Sequence, residues 1–267
     1  MREQGPPVVT VREAATVMLV RDEPDLHVFM LRRSLSAAFV GGAYVFPGGA
    51  VDPADRAPEL VARTHGRTDA EASSLLGMAD GGLGFWAAAI REAFEEAGVL
   101  LARSAPTDDP VDLDDAATAA RLEVARHTVG RGERPFLDVV VEEDLVLDAG
   151  ALHLFSHWIT PPGAPRRFDT WFFVADAPEG HAYLHDDAET VASEWIRPDD
   201  ALERGRRGEL ELIFPTMRSL SVLARFGTAV ALLDALREAA ASPTGAFVAD
   251  HNGARVPLPG DAGEGVA

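Results

Sequence analysis

The sequence predicts a mixed α/β (α+β) fold in which a mixed β-sheet is sandwiched between helices. Several short segments are rich in β-branched and large apolar residues, which is the composition of strands. Residues 85–97, FWAAAIREAFEEA, repeat apolar side chains at helical spacing, and residues 217–240 do so again near the C-terminus. Together these segments predict a sheet that is covered by helices.

The first half of the chain is predicted to supply a hairpin, a glycine-rich segment and a helical insertion. Residues 14–20 and 26–31 form the hairpin around the turn RDEPD. A short strand at 44–46 leads into Pro-Gly-Gly, where glycines let the backbone approach a ligand; a plain tight turn is the alternative. Helical spacing over 57–78, followed by GGLG at 81–84, predicts a helical insertion with a loop.

The second half is predicted to complete the sheet and to end in helices. Residues 114–126 have helical spacing and suggest a peripheral excursion or a dimer element. The strand candidates are 136–141, 145–147, 153–159 and 170–175. A short helix is predicted at 199–204, and the long apolar repeat of 217–240 predicts a helix for core or dimer packing.

Composition and charge narrow the functional classes. The 267 residues are 47% hydrophobic and 25% charged, as in ordinary globular domains. The absence of cysteine excludes disulfides, thiolate metal sites and a cysteine nucleophile. A formal net charge of −19 disfavours nucleic acids and anionic membranes as partners. The chain shows neither a signal peptide nor an apolar run of about 18 residues, so we expect a cytoplasmic location.

One short motif carries most of the chemical information. Residues 91–98 read R-E-x-x-E-E-x-G, and a helix ending at Gly98 places Glu92, Glu95 and Glu96 within one narrow arc. Ile90 and Phe94 project from the opposite side, so the helix can bury one stripe and present the carboxylate cluster on the other. Like charges at these spacings repel, and Arg91 offsets only part of that repulsion. The cluster therefore suits Mg²⁺ or Mn²⁺ together with a phosphate group; an exposed acidic helix face is the alternative.

A second element lies upstream, where residues 45–52 read VFPGGAVD and are followed by Asp55. With the first motif it resembles the box of the Nudix hydrolase family, G-x5-E-x7-R-E-U-x-E-E-x-G-U, in which U is bulky and apolar. Gly49 fits the first glycine of the box. The chain departs from it at Asp55, where the family has Glu, and at Ala93, a small residue at an apolar position. A long insertion also separates Asp55 from Arg91.

An insertion at this place resembles the acyl-coenzyme A diphosphatase branch of the family, from animal peroxisomes and bacteria. The resemblance implies a Nudix fold over 10–241 with a C-terminal helical extension, followed by a tail over 242–267. The box would be split as 48–55 and 89–100, with the insertion at about 56–84 between them. Similar segments occur at 31–34, 44–55, 89–101, 157–161, 166–170 and 258–261.

The resemblance also implies roles for individual residues. Glu92, Glu95, Glu96 and the carbonyl of Gly48 would bind the divalent ions. Arg91 would orient the glutamates, and Glu92 would help to activate the attacking water. Many family members add an acidic residue on a later loop. Glu189 is our candidate for it, and its rivals are Asp186, Asp187 and Glu194.

Three arginines are candidate substrate contacts. Arg33 opens a segment similar to the R-[SA]-x3-R-x3-G-x3-F-P-G-G motif of coenzyme A-cleaving relatives, in which Ala38 replaces the second arginine. Arg166 and Arg167 suit contact with phosphate. For these two the alternatives are a solvated turn or pairing with Asp169. His153 and His157 are four residues apart, but their strand-like surroundings argue against a zinc-binding helix.

The sequence thus predicts a metal-dependent hydrolase of a pyrophosphate linkage, with coenzyme A or an acyl-CoA as the expected substrate. An ADP-ribose, NADH or nucleotide-sugar pyrophosphatase is the enzymatic alternative. A Nudix-fold regulator that binds a nucleotide without cleaving it is the alternative of another class. The expected partner is a small-molecule diphosphate, with neither nucleic acid nor membrane, and the chain is a possible homodimer.

Overall fold

A seven-stranded mixed sheet forms the centre of the molecule. The computed structural model describes residues 9–35, 41–178, 181, 183 and 190–241. In chain order the strands are β1 (Val11–Asp22), β2 (Leu26–Arg33), β3 (Tyr44–Val45), β4 (Gly48–Ala50), β5 (Thr64–His65), β6 (Ala102–Ser104), β7 (Leu145–Asp148), β8 (His153–Ile159), β9 (Arg167–Asp176) and β10 (Thr190–Ile196).

Helices surround this sheet on both faces. They are α1 (Pro58–Val61), α2 (Asp69–Leu76), α3 (Leu83–Ala97), α4 (Ala116–Gly130), α5 (Phe136–Glu142), α6 (Pro198–Arg206), α7 (Phe214–Leu223) and α8 (Ala229–Ala241). Short 3₁₀ helices cover Pro53–Arg56 and Ala149–Ala151.

The order of the central strands is β10-β2-β1-β9-β8, and β1 runs parallel to β9. The strands β1 and β2 pair only near their turn, from Val20 opposite Val28 to Asp22 opposite Leu26. Farther along, β4 lies against β1 and β3 lies against β2. The predicted hairpin is therefore confirmed, and the glycine-rich segment is inserted at the point where its two strands separate.

Both faces of the sheet are buried, which explains the continuous apolar runs in its strands. Ala15, Val17 and Leu19 of β1 pack in one core together with α3, α4 and α5. Met18 and Val20 point to the other side and pack with α6, α7 and α8. This arrangement confirms the predicted sheet between helices.

The insertion over 56–84 is only partly helical. It contains α1 and α2, but between them β5 joins a second sheet of order β5-β7-β6. The pairs β5–β7 and β6–β7 are parallel and antiparallel, respectively. Local sequence does not predict this sheet, because β5 has two residues and its pairing partner β7 is distant in the chain.

The predicted strand at 136–141 is wrong, because these residues form α5. Phe136, Val139 and Val140 are buried, and their i, i+3, i+4 spacing is that of a helix face. Three consecutive valines favour a strand by propensity, and packing of this face against the core overrides that preference. The neighbouring strand prediction at 145–147 is confirmed by β7.

The single helix predicted for 217–240 is in fact two helices, α7 and α8. The break is fixed by the tip of the β1–β2 hairpin. The amide of Leu26 donates to the carbonyl of Gly227 over 3.1 Å, and the amide of Ala229 donates to Asp22 Oδ1 over 2.6 Å. Asp22 thus accepts a hydrogen bond from the first turn of α8, which local periodicity cannot reveal.

The described residues include no helix with the length and apolar character needed to cross a membrane. Residues 242–267, predicted as a tail, lie outside the described residues. The boundaries of the predicted domain, 10–241, remain a prediction.

The first residue of β8, His153, makes stability depend on pH. Burial, with the positive charges of Arg237 and Arg67, lowers the pKa of His153 from 6.5 to about 4. Between these values the unfolded chain binds a proton here and the folded protein does not. The free energy of unfolding therefore falls as the pH falls through this window.

We expect His153→Gln to remove this contribution. Urea unfolding at about pH 7 and about pH 5 should show a smaller loss of stability on acidification than the wild type shows. The matched control is His65→Gln, since His65 is an exposed histidine. An equal acid-induced loss in wild type and His153→Gln would contradict the assignment.

Candidate active site

Helix α3 carries the acidic motif and is buried on almost every side. Among its fifteen residues Glu95 alone is intermediate rather than buried. The helix ends as predicted at Gly98, whose φ of 66° is the left-handed conformation that glycine adopts readily. The expectation of one buried stripe and one open acidic face is wrong, because β4 and the 3₁₀ helix Pro53–Arg56 cover the acidic face.

Arg91 connects these covering segments to the glutamates. Its Nε and Nη2 donate to the two carboxylate oxygens of Asp55 over 2.9 and 3.0 Å. Its Nη2 also donates to the carbonyl of Ala50 over 2.8 Å. Its Nη1 donates to Glu92 Oε1 over 2.8 Å and to Glu95 Oε1 over 3.0 Å. This is the geometry that a residue orienting the glutamates requires.

Asp55 is 1% exposed, although it stands where the Nudix motif has a longer glutamate. Besides binding Arg91, it accepts a hydrogen bond from the amide of Asp52 over 2.8 Å. The 3₁₀ helix brings Asp55 close to Arg91, so the shorter side chain still makes a two-oxygen contact. The insertion begins directly after this contact and leaves it intact.

The glycine pair presses the backbone against two of the glutamates. The amide of Gly48 donates to Glu96 Oε2 over 2.9 Å. A Cβ atom at Gly49 would lie 2.4 Å from Glu92 Oε1, closer than atoms can approach. Both glycines belong to β4 and pair with β1, so the alternative of a plain tight turn is wrong. A metal-binding role for the Gly48 carbonyl remains a prediction.

Burial and neighbouring charges shift the pKa values of the charged groups in this cluster. Burial raises the pKa of Glu92 to about 7, and the charge and hydrogen bond of Arg91 only partly oppose this. Burial also raises the pKa of Glu95. In Arg91, hydrogen bonding to Asp55 and the surrounding negative charges more than reverse the effect of burial, and its pKa is raised. Additional positive charge at the cluster would therefore favour the ionised forms of Glu92 and Glu95.

Within the described ranges, no three acidic or histidine side chains are assembled so that they would hold a metal ion. The contacts explain this, because Arg91 engages Glu92 and Glu95 while the Gly48 amide engages Glu96. By chemistry the donor set nevertheless fits a hard divalent cation. It offers three carboxylates, and Glu92 and Glu96 are only 9% and 6% exposed.

The late-loop candidate Glu189 and its rivals Asp186 and Asp187 lie outside the described residues, as does Ala38. The third rival, Glu194, is described, and it pairs with Arg204 of α6 over 2.7 Å. Its neighbour across the sheet is Met30, which belongs to the core on the α6–α8 side. Glu194 thus lies on the opposite face of the sheet from Glu92.

The three candidate arginines occupy different places. Arg33 ends β2, where its amide donates to the Ala43 carbonyl over 3.0 Å and its own carbonyl accepts from the Gly42 amide. Arg167 begins β9, and its Nε donates to the carbonyl of Thr160 over 2.9 Å. Arg166 is exposed in the preceding turn. These contacts place Arg33 and Arg167 at the ends of two different strands, and contact of the three arginines with substrate remains a prediction.

Asp169 pairs with His157 instead of either arginine, so the suggested arginine pairing is wrong. The His157 ring stacks on Trp171, with centroids 3.7 Å apart and planes 2° from parallel. Strand register places Gly49, Ala15, Trp171 and His157 in one row across the sheet. His157 and Trp171 therefore lie on the face of the sheet that α3 covers, which is also the face of Glu92. Strand pairing creates this relation, and local sequence does not show it.

Arg126 is a buried residue next to the acidic helix that was not predicted from the sequence. It is 3% exposed on α4, where it makes a two-oxygen contact with Glu123 over 2.9 and 2.7 Å. Its Nη1 donates to the carbonyl of Glu95 over 3.1 Å, at the end of α3. Arg126 thereby attaches α4 to the acidic helix. Its i, i+3 spacing from Glu123 was visible in the sequence, but not its partner on α3.

A family model and individual relatives of this chain carry the same family name. A family model described as the NUDT19 Nudix domain matches residues 74–223. The acyl-coenzyme A diphosphatase NUDT19 of Homo sapiens is 33% identical over 229 residues, which cover 75% of this chain and 61% of that protein. The protein of the same name from Xenopus laevis is 28% identical, with coverages of 76% and 60%. The chain thus spans less than two thirds of the length of these two relatives.

A solved structure is also similar. The crystal structure of a Nudix hydrolase from Alicyclobacillus acidocaldarius superposes with a TM-score of 0.66 at 28% sequence identity. The match covers 85% of this chain and 97% of that one.

The two glycines of β4 should respond differently to substitution. A Cβ at Gly48 would meet backbone atoms of β1, at 2.5 Å from the Ala15 carbonyl oxygen, and β1 cannot move aside. The three atoms nearest to a Cβ at Gly49 all belong to the end of the Glu92 side chain. We expect Gly48→Ala to lower the free energy of unfolding by about 1–3 kcal/mol and Gly49→Ala to lower it less.

Urea unfolding would measure both variants, with Gly227→Ala as the control because nothing lies within 4 Å of a Cβ there. The control should stay within about 0.5 kcal/mol of wild type. A Gly49→Ala variant that loses as much stability as Gly48→Ala would contradict the view that Glu92 alone occupies the space beside Gly49.

Proposed function

Since the chain belongs to the Nudix hydrolase family, in its NUDT19 Nudix domain group, we propose that it is a metal-dependent pyrophosphohydrolase acting on coenzyme A or an acyl-coenzyme A. One observation carries this proposal. The buried guanidinium of Arg91 holds Glu92 and Glu95, while the glycine backbone of β4 reaches Glu92 and Glu96. The relatives named acyl-coenzyme A diphosphatase support the substrate.

Glu92, Glu95, Glu96 and the Gly48 carbonyl would hold Mg²⁺ or Mn²⁺. The ion would neutralise negative charge developing on the diphosphate and lower the pKa of bound water. Asp55 and Arg91 keep the glutamates in fixed positions, so that little reorganisation is needed during reaction. These ligand roles extend the resemblance to residues whose oxygen donors suit a hard divalent cation.

We propose Glu92 as the acceptor of the proton from the attacking water. Its Oε1 already accepts from Arg91, so Oε2 is the oxygen available for this role. A carboxylate whose pKa lies near 7 is well matched to proton transfer at neutral pH. The water oxygen forms a bond to one phosphorus, and the bond from that phosphorus to the bridging oxygen breaks. From coenzyme A the products are 3′-phosphoadenosine 5′-phosphate and 4′-phosphopantetheine.

The remaining roles are proposals of the same kind. Arg33, Arg166 and Arg167 are proposed to contact the substrate phosphates, and Glu189 to complete the metal site. A cytoplasmic location and a homodimer are proposed as well. The intact set of Glu92, Glu95 and Glu96 argues against a regulator that binds without cleaving. Hydrolysis of ADP-ribose, NADH or a nucleotide sugar would keep the mechanism and change the substrate.

We expect Glu96→Gln to lower kcat by at least about 100-fold, because the substitution removes a charged oxygen from the proposed metal site. Purified protein would be assayed chromatographically with Mg²⁺ and with Mn²⁺ against CoA, acetyl-CoA, ADP-ribose, NADH and ADP-glucose. Chelation of the metal should abolish turnover. Cleavage of the two coenzymes alone is the expected result.

The matched control for this variant is Glu238→Gln, an exposed glutamate on α8. Glu238→Gln removes the same negative charge far from the acidic motif, so this variant should hydrolyse the substrates at the wild-type rate. Near-normal turnover by a folded Glu96→Gln variant would remove Glu96 from the metal site. If the wild type hydrolyses none of the diphosphates tested, the proposed activity is overturned.

Glu189→Gln tests the assignment of the late-loop acid. We expect it to reduce kcat strongly, while the parallel variants Asp186→Asn and Asp187→Asn retain most activity. Metal-concentration curves for the three variants would show whether the apparent affinity for Mg²⁺ falls with kcat. If one of the aspartate variants is the inactive one, the ligand role passes to that residue.

A further inference from the structure

A cleft of about 350 Å³ lies beside the acidic motif, between its covering segment and the α4–α5 connection. We call it the α4–α5 cleft. Its volume is within the range of small-molecule sites. One wall comes from Asp52, Asp55, Arg91 and Glu95 of the split box, and the opposite wall comes from residues 129–137. Local sequence does not predict this cleft, because its walls are far apart in the chain.

The far wall is uncharged over most of its surface. Apolar side chains line it at Val129, Pro135, Phe136 and Leu137, and Leu60 of α1 adds another. Backbone is accessible at two glycines of the same connection. Such a wall suits a flexible chain of methylene and amide groups, which gains from apolar contact and from backbone hydrogen bonds.

The charges in the cleft do not favour an additional anion. Three carboxylates and two guanidinium groups line it. Arg91 is already bound to Asp55, Glu92 and Glu95, and Arg134 forms an ion pair with Glu142 over 2.6 Å. The phosphates of a nucleotide that entered the cleft would be repelled by the carboxylates that line it. Both guanidinium groups of the cleft already form ion pairs with carboxylates of the protein, so they would compensate little of this repulsion.

The position of the cleft connects it with the reaction. Arg91 and Glu95 line the cleft and are also bound to each other within the acidic cluster. A substrate whose diphosphate lies on the glutamates can therefore extend one of its ends past Glu95 into the cleft. The end that enters must be uncharged and flexible.

We propose that the α4–α5 cleft binds the pantetheine–acyl limb of the substrate and excludes its nucleotide. This inference rests on the proposed function, because it assigns one end of a coenzyme A-type diphosphate to a place in the fold. The residues that set specificity are then on the α4–α5 connection, outside the acidic motif.

Gly130, the last residue of α4, offers a way to fill the cleft. A Cβ at this position would have Glu95 Cβ at 4.0 Å as its nearest neighbour, which is ordinary contact. Alanine therefore fits without strain, while a larger side chain would extend into the cleft. Val124 lies on the same helix and is 66% exposed, so Val124→Trp is the matched control for bulk on α4.

The experiment measures calorimetric binding of the two halves of the substrate, in the presence of Mg²⁺. The ligands are S-octanoyl-4′-phosphopantetheine and 3′-phosphoadenosine 5′-phosphate. We expect Gly130→Trp to weaken binding of the first at least about tenfold and to leave the second within about twofold. Gly130→Ala and Val124→Trp should bind both ligands like wild type.

Leu137→Asp changes the same wall at the other end of the α4–α5 connection and serves if Gly130→Trp does not fold. It should produce the same selective loss, because a buried charge opposes an acyl chain. Loss of nucleotide binding instead, equal loss of both ligands in the folded variants, or no loss of either would overturn the inference. So would a wild type that does not bind S-octanoyl-4′-phosphopantetheine.

CoA turnover by the wild type is measured in parallel. If the wild type hydrolyses CoA but the cleft variants do not weaken binding of the pantetheine ligand selectively, the proposed function is retained and the assignment of the cleft is rejected. Absence of turnover with selective limb binding removes the proposed hydrolysis and retains the cleft as a binding site.

Discussion

The buried guanidinium of Arg91 connects the parts of the chain from which the candidate site is built. It binds Asp55 in the 3₁₀ helix, the carbonyl of Ala50 in β4, and Glu92 and Glu95 on its own helix. Removing one partner from such a network leaves an uncompensated charge in a poorly hydrated place, which is strongly unfavourable. The long insertion leaves this contact intact, because residues on either side of it, Asp55 and Arg91, still pair.

The same burial makes the acidic cluster suitable for chemistry. Two of the three glutamates are almost inaccessible, and among the described residues the single guanidinium of Arg91 is shared by Glu92, Glu95 and Asp55. A divalent ion would supply the missing positive charge, and a diphosphate would follow the ion. In the proposed mechanism a metal held by carboxylates would offset the overall negative charge locally, without a basic surface.

The elements added around the Nudix sheet have separate roles. The C-terminal helices cover the face opposite the site, and Asp22 and Leu26 at the tip of the β1–β2 hairpin fix the break between α7 and α8. Helices α4 and α5 lie on the face of the acidic helix and, through Arg126, attach to its end. Substrate preference is accordingly proposed to reside in α4 and α5, and the chemistry in the box.

The sequence by itself determined the features that depend on residues close together in the chain. The spacing of Glu92, Glu95 and Glu96, the stop at Gly98 and the first hairpin all follow from local periodicity and turn chemistry. Only the tertiary structure decided that the acidic face is covered, that 136–141 is a helix, and that a second sheet and a cleft exist. These depend on which distant segments pack together, and packing free energy outweighs local propensity wherever the two disagree.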